Sequence, residues 1–413
     1  MNTRGENGDD PRAVPGRRPE HGRELRDRVA ELTDVIVGVS RSVHTTPELG
    51  FEEFRSSAVL VEVLTEHGFE VRRPVAELRT GFTARYGSGP LVVGLCAEYD
   101  ALPEIGHACG HNIIAAIAVG AGLALAPLAD RLGITVEVIG TPAEENGGGK
   151  VIMLEAGVFD DVACALMAHP APVETCSAGS LAITDLRVGY EGKESHAALA
   201  PYLGVNAADA MNLAQVAIGL ARQQFERDQM VHGVTTRGGL APNVIPASTE
   251  AEYYLRAGDA ESLARLEERV RRCFEAGAVA TGARLELRRM APAYHELVPD
   301  PWLSTVYREV IVDLGRTPLS PEVERDAPTG STDMGNVSRL VPSIHPTIAL
   351  DAGGAVNHQP EFTEVCAGPS GDRAAVDGAL ALALTAACAA EDRAQRDQLL
   401  EGVTRRSRRA AMT

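Results

Sequence analysis

Six side chains in this sequence have the types that hold a metal ion and move protons. Cys109 and His111 stand two apart in the stretch CAEYDALPEIGHACGHN, residues 96–112. Glu144 and Glu145 are adjacent in the loop TPAEENGGGK, His169 closes the apolar run VACALMA, and His358 lies in GGAVNHQP. Thiolate, imidazole and carboxylate together suit zinc or another borderline divalent ion. A helix starting near residue 110 would favour thiolate at Cys109, and a bound metal would deprotonate it outright. The adjacent glutamates permit a division of labour. Glu145 can serve as ligand while Glu144 acts as general base, taking a proton from a water whose pKa a metal lowers to about 7 and returning it to a leaving amine. Each residue also has an ordinary reading: a packed thiol, a satisfied or solvated histidine, a solvated acidic loop. Spacing alone leaves both readings open. The case for a site is that these groups repeatedly terminate apolar strands beside Gly or Pro, as sites at the carboxyl ends of sheet strands do.

The elements that must position them alternate. Helices are expected over about Glu24–Val43 and Phe51–His67, then β-rich runs at Phe69–Arg72, Phe82–Tyr86 and Leu91–Cys96. A Gly- and Ala-rich helix over about Gly110–Leu128 leads to strand Ile134–Ile139, and a further apolar run covers Val162–Ala168. This alternation predicts an α/β sheet with helices on both faces. From about Ser180 the texture changes to strand Leu181–Gly189, helix Val205–Gln224, strands Val231–Arg237 and Ser248–Arg256, helix Asp259–Ala278 and strand Arg284–Met290. That β-α-β-β-α-β order is ferredoxin-like and reads as an insertion. The expected division is a disordered segment 1–22, a catalytic domain over 23–180 and 291–395 that ends in an Ala-rich helix near Val376–Ala390, an inserted domain over 181–290, and a frayed basic tail over 396–413.

A chain of 413 residues exceeds one ordinary core, which suits two domains. Its formal charge of −18 speaks against a nucleic-acid partner, since phosphate binding needs a basic surface. No uninterrupted apolar stretch of about 18 residues predicts a membrane span, and the polar N-terminus has no signal-peptide core. The longest apolar candidate, IIAAIAVGAGLALAPLA, reads as a buried helix. Seven widely spread cysteines form no disulfide framework and fit a reduced, cytoplasmic setting.

The pieces HTTPELGFEE, AEYDALPEIGHACGHN, GTPAEE, MAHP, GKESHAA, GGLAPNVIP, GSTDMGNVS and NHQPEF span nearly all of the chain from about Leu25 to Ala390. In this order and spacing they resemble the aminoacylase/carboxypeptidase-type di-metal peptidases, in particular the amidohydrolase branch that holds p-aminobenzoyl-glutamate hydrolase subunits and similar dipeptidases. The resemblance implies a mixed-sheet α/β catalytic domain like that of di-zinc exopeptidases, interrupted by a ferredoxin-like lid that also mediates homodimerisation. It implies two divalent metal ions, zinc or manganese, held by Cys109, His111, Glu145, His169 and His358, with Glu144 as general base. Asp100 matches an acid that orients a metal ligand from behind. Glu98 stands where relatives carry Asp or, in remoter branches, a His ligand, and its contact with metal stays open. In the lid, Asn243 and Arg256 match residues that grip the substrate's carboxylate and amide. His196 and His232 match lid histidines, one of which is expected to cross the dimer interface and stabilise an oxyanion. On their own residues alone these would be solvated histidines and a strand-end charge. Ser331, Thr332 and Asp333 either line the pocket or form a local side-chain turn.

The expected activity is metal-assisted hydrolysis of the amide bond of an N-acyl amino acid, dipeptide or aryl-glutamate. Two alternatives share part of this reading: a pathway-specific deacylase that removes a protecting group in biosynthesis, and a non-catalytic metal-binding subunit. A serine hydrolase is disfavoured because no G-x-S-x-G elbow occurs. A cysteine nucleophile at Cys109 lacks an obvious partner.

Overall fold

The computed structural model describes residues 19–326 and 330–410. Residues 1–18 of the segment expected to be disordered lie outside the described residues, and a helix already begins at Gly22. The strands are β1 (Glu70–Arg72), β2 (Phe82–Tyr86), β3 (Leu91–Ala97), β4 (Ile134–Gly140), β5 (Val162–Leu166), β6 (His169–Ala171), β7 (Ala182–Glu191), β8 (Met230–Arg237), β9 (Ser248–Ala257), β10 (Arg284–Arg289), β11 (Ser343–Ile344) and β12 (Thr347–Ala349).

The main sheet has the order β1-β2-β4-β3-β5-β11. β3 lies parallel to β4 and β5, and β5 parallel to β11, whereas β2 runs antiparallel to both of its neighbours. The sheet is therefore mixed. β3, β4 and β5 are buried throughout, as their nearly unbroken apolar runs require of strands covered on both faces. The helix His111–Leu125 packs on β3 and β4, and the helices Thr33–His44 and Pro369–Glu391 pack against it. All fifteen residues of His111–Leu125 are buried. Small residues let these helices approach closely: a Cβ on Gly378 would come within 2.5 Å of Ile117 Cδ1. By length and composition His111–Leu132 and Pro369–Glu391 are each apolar enough to cross a membrane, but 94% and 83% of their apolar windows lie inside the protein. They are core helices.

Between residues 182 and 289 the chain builds a second sheet of order β10-β7-β9-β8, antiparallel at every pairing. Two helices, Ala207–Ala221 and Ala260–Thr281, cover one face and share a separate hydrophobic cluster with it. Strand alternation sends Ala182, Leu186, Val188 and Tyr190 into that cluster. The partly exposed Ile183, Asp185 and Arg187 lie on the other face, registered against Arg256, Tyr254 and Glu252 of β9.

Three details differ from the sequence expectation. The predicted helix 24–43 breaks at Leu32 into Gly22–Glu31 and Thr33–His44. His169 opens β6 and pairs with Thr347 of β12, so it does not merely end a strand. The frayed tail expected from residue 396 is instead a helix, Arg393–Ala410, with Leu399 buried. Arg396 donates to the carbonyls of Leu132 and Gly133, each at 2.8 Å. Tertiary anchoring stabilises a helix whose polar sequence signals none.

Candidate metal centre

The carboxyl ends of three neighbouring strands bring the donors together. β3 runs out into Glu98 and Asp100, and the loop after it reaches Cys109. Gly110 then adopts φ +84 and starts the helix at His111. A Cβ there would lie 2.4 Å from Pro170, so only glycine allows the thiol and the imidazole to stand on either side of this turn. β4 delivers Glu144 and Glu145 through Ala143, itself at φ +58. β5 leads to His169. His358, at φ +69, is carried in by a loop fixed to the site: its amide donates to Ala108 O at 2.9 Å, and Asn357 Nδ2 donates to the carbonyls of Cys109 and Pro170. Two non-glycine residues in the left-handed region at one site are a local strain that the surrounding hydrogen bonds hold in place.

The donor atoms face one another. Cys109 Sγ lies 3.4 Å from His169 Nε2, and His358 Nε2 lies 3.4 Å from Glu145 Oε1. His111 Nε2 is 3.8 Å from Glu145 Oε1 and 3.9 Å from Glu144 Oε2. Two triads, Cys109–His111–His169 and Cys109–Glu145–His358, each have the spacing to hold an ion, and they share the thiol. The ring orientations are fixed from behind. His111 Nδ1 bonds Asp100 Oδ1 at 2.9 Å, while Asp100 Oδ2 accepts from the Glu145 amide at 3.0 Å. His169 Nδ1 contacts Pro170 O at 2.8 Å, which leaves Nε2 facing inward. His111 Nε2, Glu145 Oε1 and Glu98 Oε2 are buried without a hydrogen bond. Orphaned buried polar atoms cost about 1–3 kcal/mol each. Three of them in one array, with a soft thiol and imidazoles alongside, fit a divalent cation as the missing partner.

Electrostatics separate the two glutamates. Burial pushes Glu144 well above the usual carboxylate range, and the negative charges of Glu98 and Glu145 push the same way. Burial would raise Glu145 too, but His358 and His111 outweigh it and hold this carboxyl below its ordinary value. One carboxylate stays ionised for binding, and the other can keep a proton. The Tyr294 hydroxyl donates to Glu144 O at 2.6 Å. Tyr294 also pairs its backbone with Ile183, where the chain passes between the two sheets.

The structure thus gathers Cys109, His111, Glu144, Glu145, His169 and His358, with Asp100 behind them. The candidate residues of the inserted sheet are placed differently. Arg256 reaches across to Ser331 Oγ at 2.8 Å. His196 Nδ1 accepts the amides of Ala198 and Leu199, Asn243 O accepts from the Ala197 amide, and His232 lies on exposed β8 opposite Tyr254. These contacts all lie within the inserted region.

Sequence reasoning missed Lys150, which is fully buried and pairs with Glu98 and, at 2.7 Å, with Asp333. The signal was a lysine ending the GGGK loop after a glutamate pair. It also missed His345, whose ring meets that of His169 edge-on at 5.5 Å and which burial pushes down to about 3. Asp333 serves Lys150, whereas the Thr332 hydroxyl makes the local turn by accepting from the Met334 amide at 3.2 Å.

A family model described as Peptidase family M20/M25/M40 matches residues 94–369. The chain is similar to the Xaa-Arg dipeptidase of Mus musculus, at 37% identity over 92% of this chain and 90% of that protein. It is also similar to a subunit of the p-aminobenzoyl-glutamate hydrolase of Escherichia coli, at 34% identity over 59% of this chain and 55% of that one. Its fold matches a Bacillus subtilis protein described as a dinuclear metal binding peptidase from the M20 family, with TM-score 0.67, 22% identity and coverage of 88% and 99%.

Proposed function

The chain belongs to peptidase family M20/M25/M40, a family of amide- and peptide-bond hydrolases, and on that premise we propose that it cleaves dipeptides or N-acyl amino acids with Glu144 as its general base. One observation carries this reading: five donors from four chain segments converge, two of them with orphaned buried atoms, and the Glu144 carboxyl stands beside them. Cys109, His111, Glu145, His169 and His358 would hold two divalent ions, zinc or manganese. When bound, these ions supply Lewis acidity that lowers the pKa of a water toward about 7 and polarises the amide carbonyl.

The chain's own residues do the rest. Glu144 accepts the water's proton and holds it until the leaving nitrogen takes it. Tyr294 fixes the peptide from which Glu144 projects. Asp100 holds the His111 ring. Arg256 and Asn243 grip the substrate carboxylate and amide, for which the guanidinium fork is suited. His196 or His232 steadies the oxyanion, one of them from the partner of a homodimer. The dimer reading is supported by β8, an exposed sheet edge, and by Leu213, Val216 and Leu220 standing exposed on the helix Ala207–Ala221. A reducing, cytoplasmic setting belongs to the same proposal, and the burial of all seven cysteines supports it.

The test is a panel of dipeptides and N-acyl amino acids presented to metal-loaded protein. Activity should vanish with a chelator and return with zinc or manganese. Glu144→Gln should keep its metal and lose about 10²–10⁴-fold in kcat, the usual worth of a positioned acid–base group. Wild-type turnover in that variant would overturn the assignment.

A further inference from the structure

The strand end that carries Asp100 also carries Glu98, a fully buried carboxylate. Its Oε1 accepts from Lys150 Nζ. Its Oε2 accepts from nothing, although it is buried. That oxygen lies 3.5 Å from His111 Nε2, which is also buried and unpartnered. The Asp100 bond to His111 Nδ1 turns Nε2, the other ring nitrogen, toward Glu98. A carboxylate oxygen and an imidazole nitrogen therefore face each other, both buried and neither hydrogen-bonded.

Two buried polar atoms without partners are costly, and a cation between the two would satisfy both. Two ligands on one tetrahedral ion with bonds of about 2.0–2.1 Å lie about 3.4 Å apart. The Cys109–His169 and Glu145–His358 edges have that length, and the Glu98–His111 edge at 3.5 Å matches them. Glu98, His111 and Glu144 also form a triad with metal-holding spacing.

Lys150 does not by itself explain Glu98. Its ammonium pairs with Asp333 Oδ1 at 2.7 Å, and its amide donates to Asp333 Oδ2 at 3.0 Å. One cation between two buried carboxylates leaves a surplus negative charge, which is costly without a further partner. Lys150 does fix the orientation of Glu98. By holding Oε1 it leaves Oε2 directed at His111.

We propose that Glu98 is a sixth donor of the metal centre, sharing an ion with His111, and that Lys150 is the residue that positions it. This rests on the metal-dependent reading above. The test is metal binding, independent of turnover: apo full-length protein is titrated with zinc against a competing chelator, and bound metal is counted after dialysis. Wild type should take up two ions. Glu98→Gln keeps the acceptor for Lys150 and removes the charged donor, so it should bind one ion at least about tenfold more weakly. Asp333→Asn disturbs the same ion cluster without touching the donor and should keep both ions. A folded Glu98→Gln with wild-type affinity for both ions overturns the proposal, as does an Asp333→Asn loss of the same size. Should Glu98→Gln fail to fold, Glu98→Asp keeps the charge and withdraws the oxygen by one methylene. The same weakening is expected there, and unchanged affinity overturns the proposal. A wild type that takes up no ion sinks the metal reading and this assignment with it. Two ions in the wild type and unchanged Glu98 variants sink this assignment alone.

Discussion

Asp100 joins the two halves of the metal centre. One of its oxygens holds His111 from behind and the other caps the Glu145 amide, so a single carboxylate fixes a donor from the helix and a donor from the loop. Burial would raise this carboxyl, but His111 outweighs it and keeps the group ionised. Asp100→Asn should therefore weaken metal affinity about 10–100-fold and reduce activity at fixed metal, while excess metal restores part of it. Competition with a chelator measures the first effect and a metal titration of rate the second; unchanged affinity would contradict the role. The donors themselves were legible, because cysteine, histidine and paired glutamates at strand ends are rare enough to stand out. Lys150 was not. Its partners lie 52 and 183 residues away in the chain, and nothing local marks a lysine in a glycine loop as buried.

At the scale of elements, Glu53 ties the helix Phe54–Glu66 to the loop that presents the glutamate pair. Its carboxyl accepts from the Ala143 amide at 2.9 Å and from Thr80 Oγ1 at 2.7 Å, bracing Ala143 in its left-handed conformation. Burial, reinforced by Asp100, pushes this carboxyl from 4.5 up to about 7. Between those values the folded state keeps a proton that the unfolded state has lost. Stability from Glu53 is thus fully present below about pH 4.5 and is lost as pH rises through about 7, by roughly 3 kcal/mol in all. Urea unfolding at saturating metal should show wild type losing about that much relative to Glu53→Gln between pH 4.5 and 8. A pH-independent difference would refute the shift. The alternation of strands and helices was legible because burial on both sheet faces leaves unbroken apolar runs. The break at Leu32 was not, since the apolar period continues across it. The helix Arg393–Ala410 was also hidden: its order comes from distant carbonyls that Arg396 reaches.

For the whole molecule, the inserted sheet reads clearly in its β-α-β-β-α-β order, whereas what its outer surface meets does not. If the edge at β8 and the helix Ala207–Ala221 join two copies, then Val216→Asp together with Leu220→Asp should yield a folded monomer in sedimentation equilibrium. Lower kcat/KM in that monomer would place a residue of the partner at the site, and a dimer that survives both changes would remove this face from consideration. Among the contacts between the inserted region and the floor beneath it are Arg256 to Ser331 and the backbone pairing of Ile183 with Tyr294, whose hydroxyl donates to the Glu144 carbonyl. Tyr294 stands where the chain returns from the insertion, a lever arm with the proposed base at its far end. A swing of the inserted sheet would pull on the peptide of Glu144 through this contact. If such a swing lets product out, its release and the disarming of the proposed base would be one mechanical event.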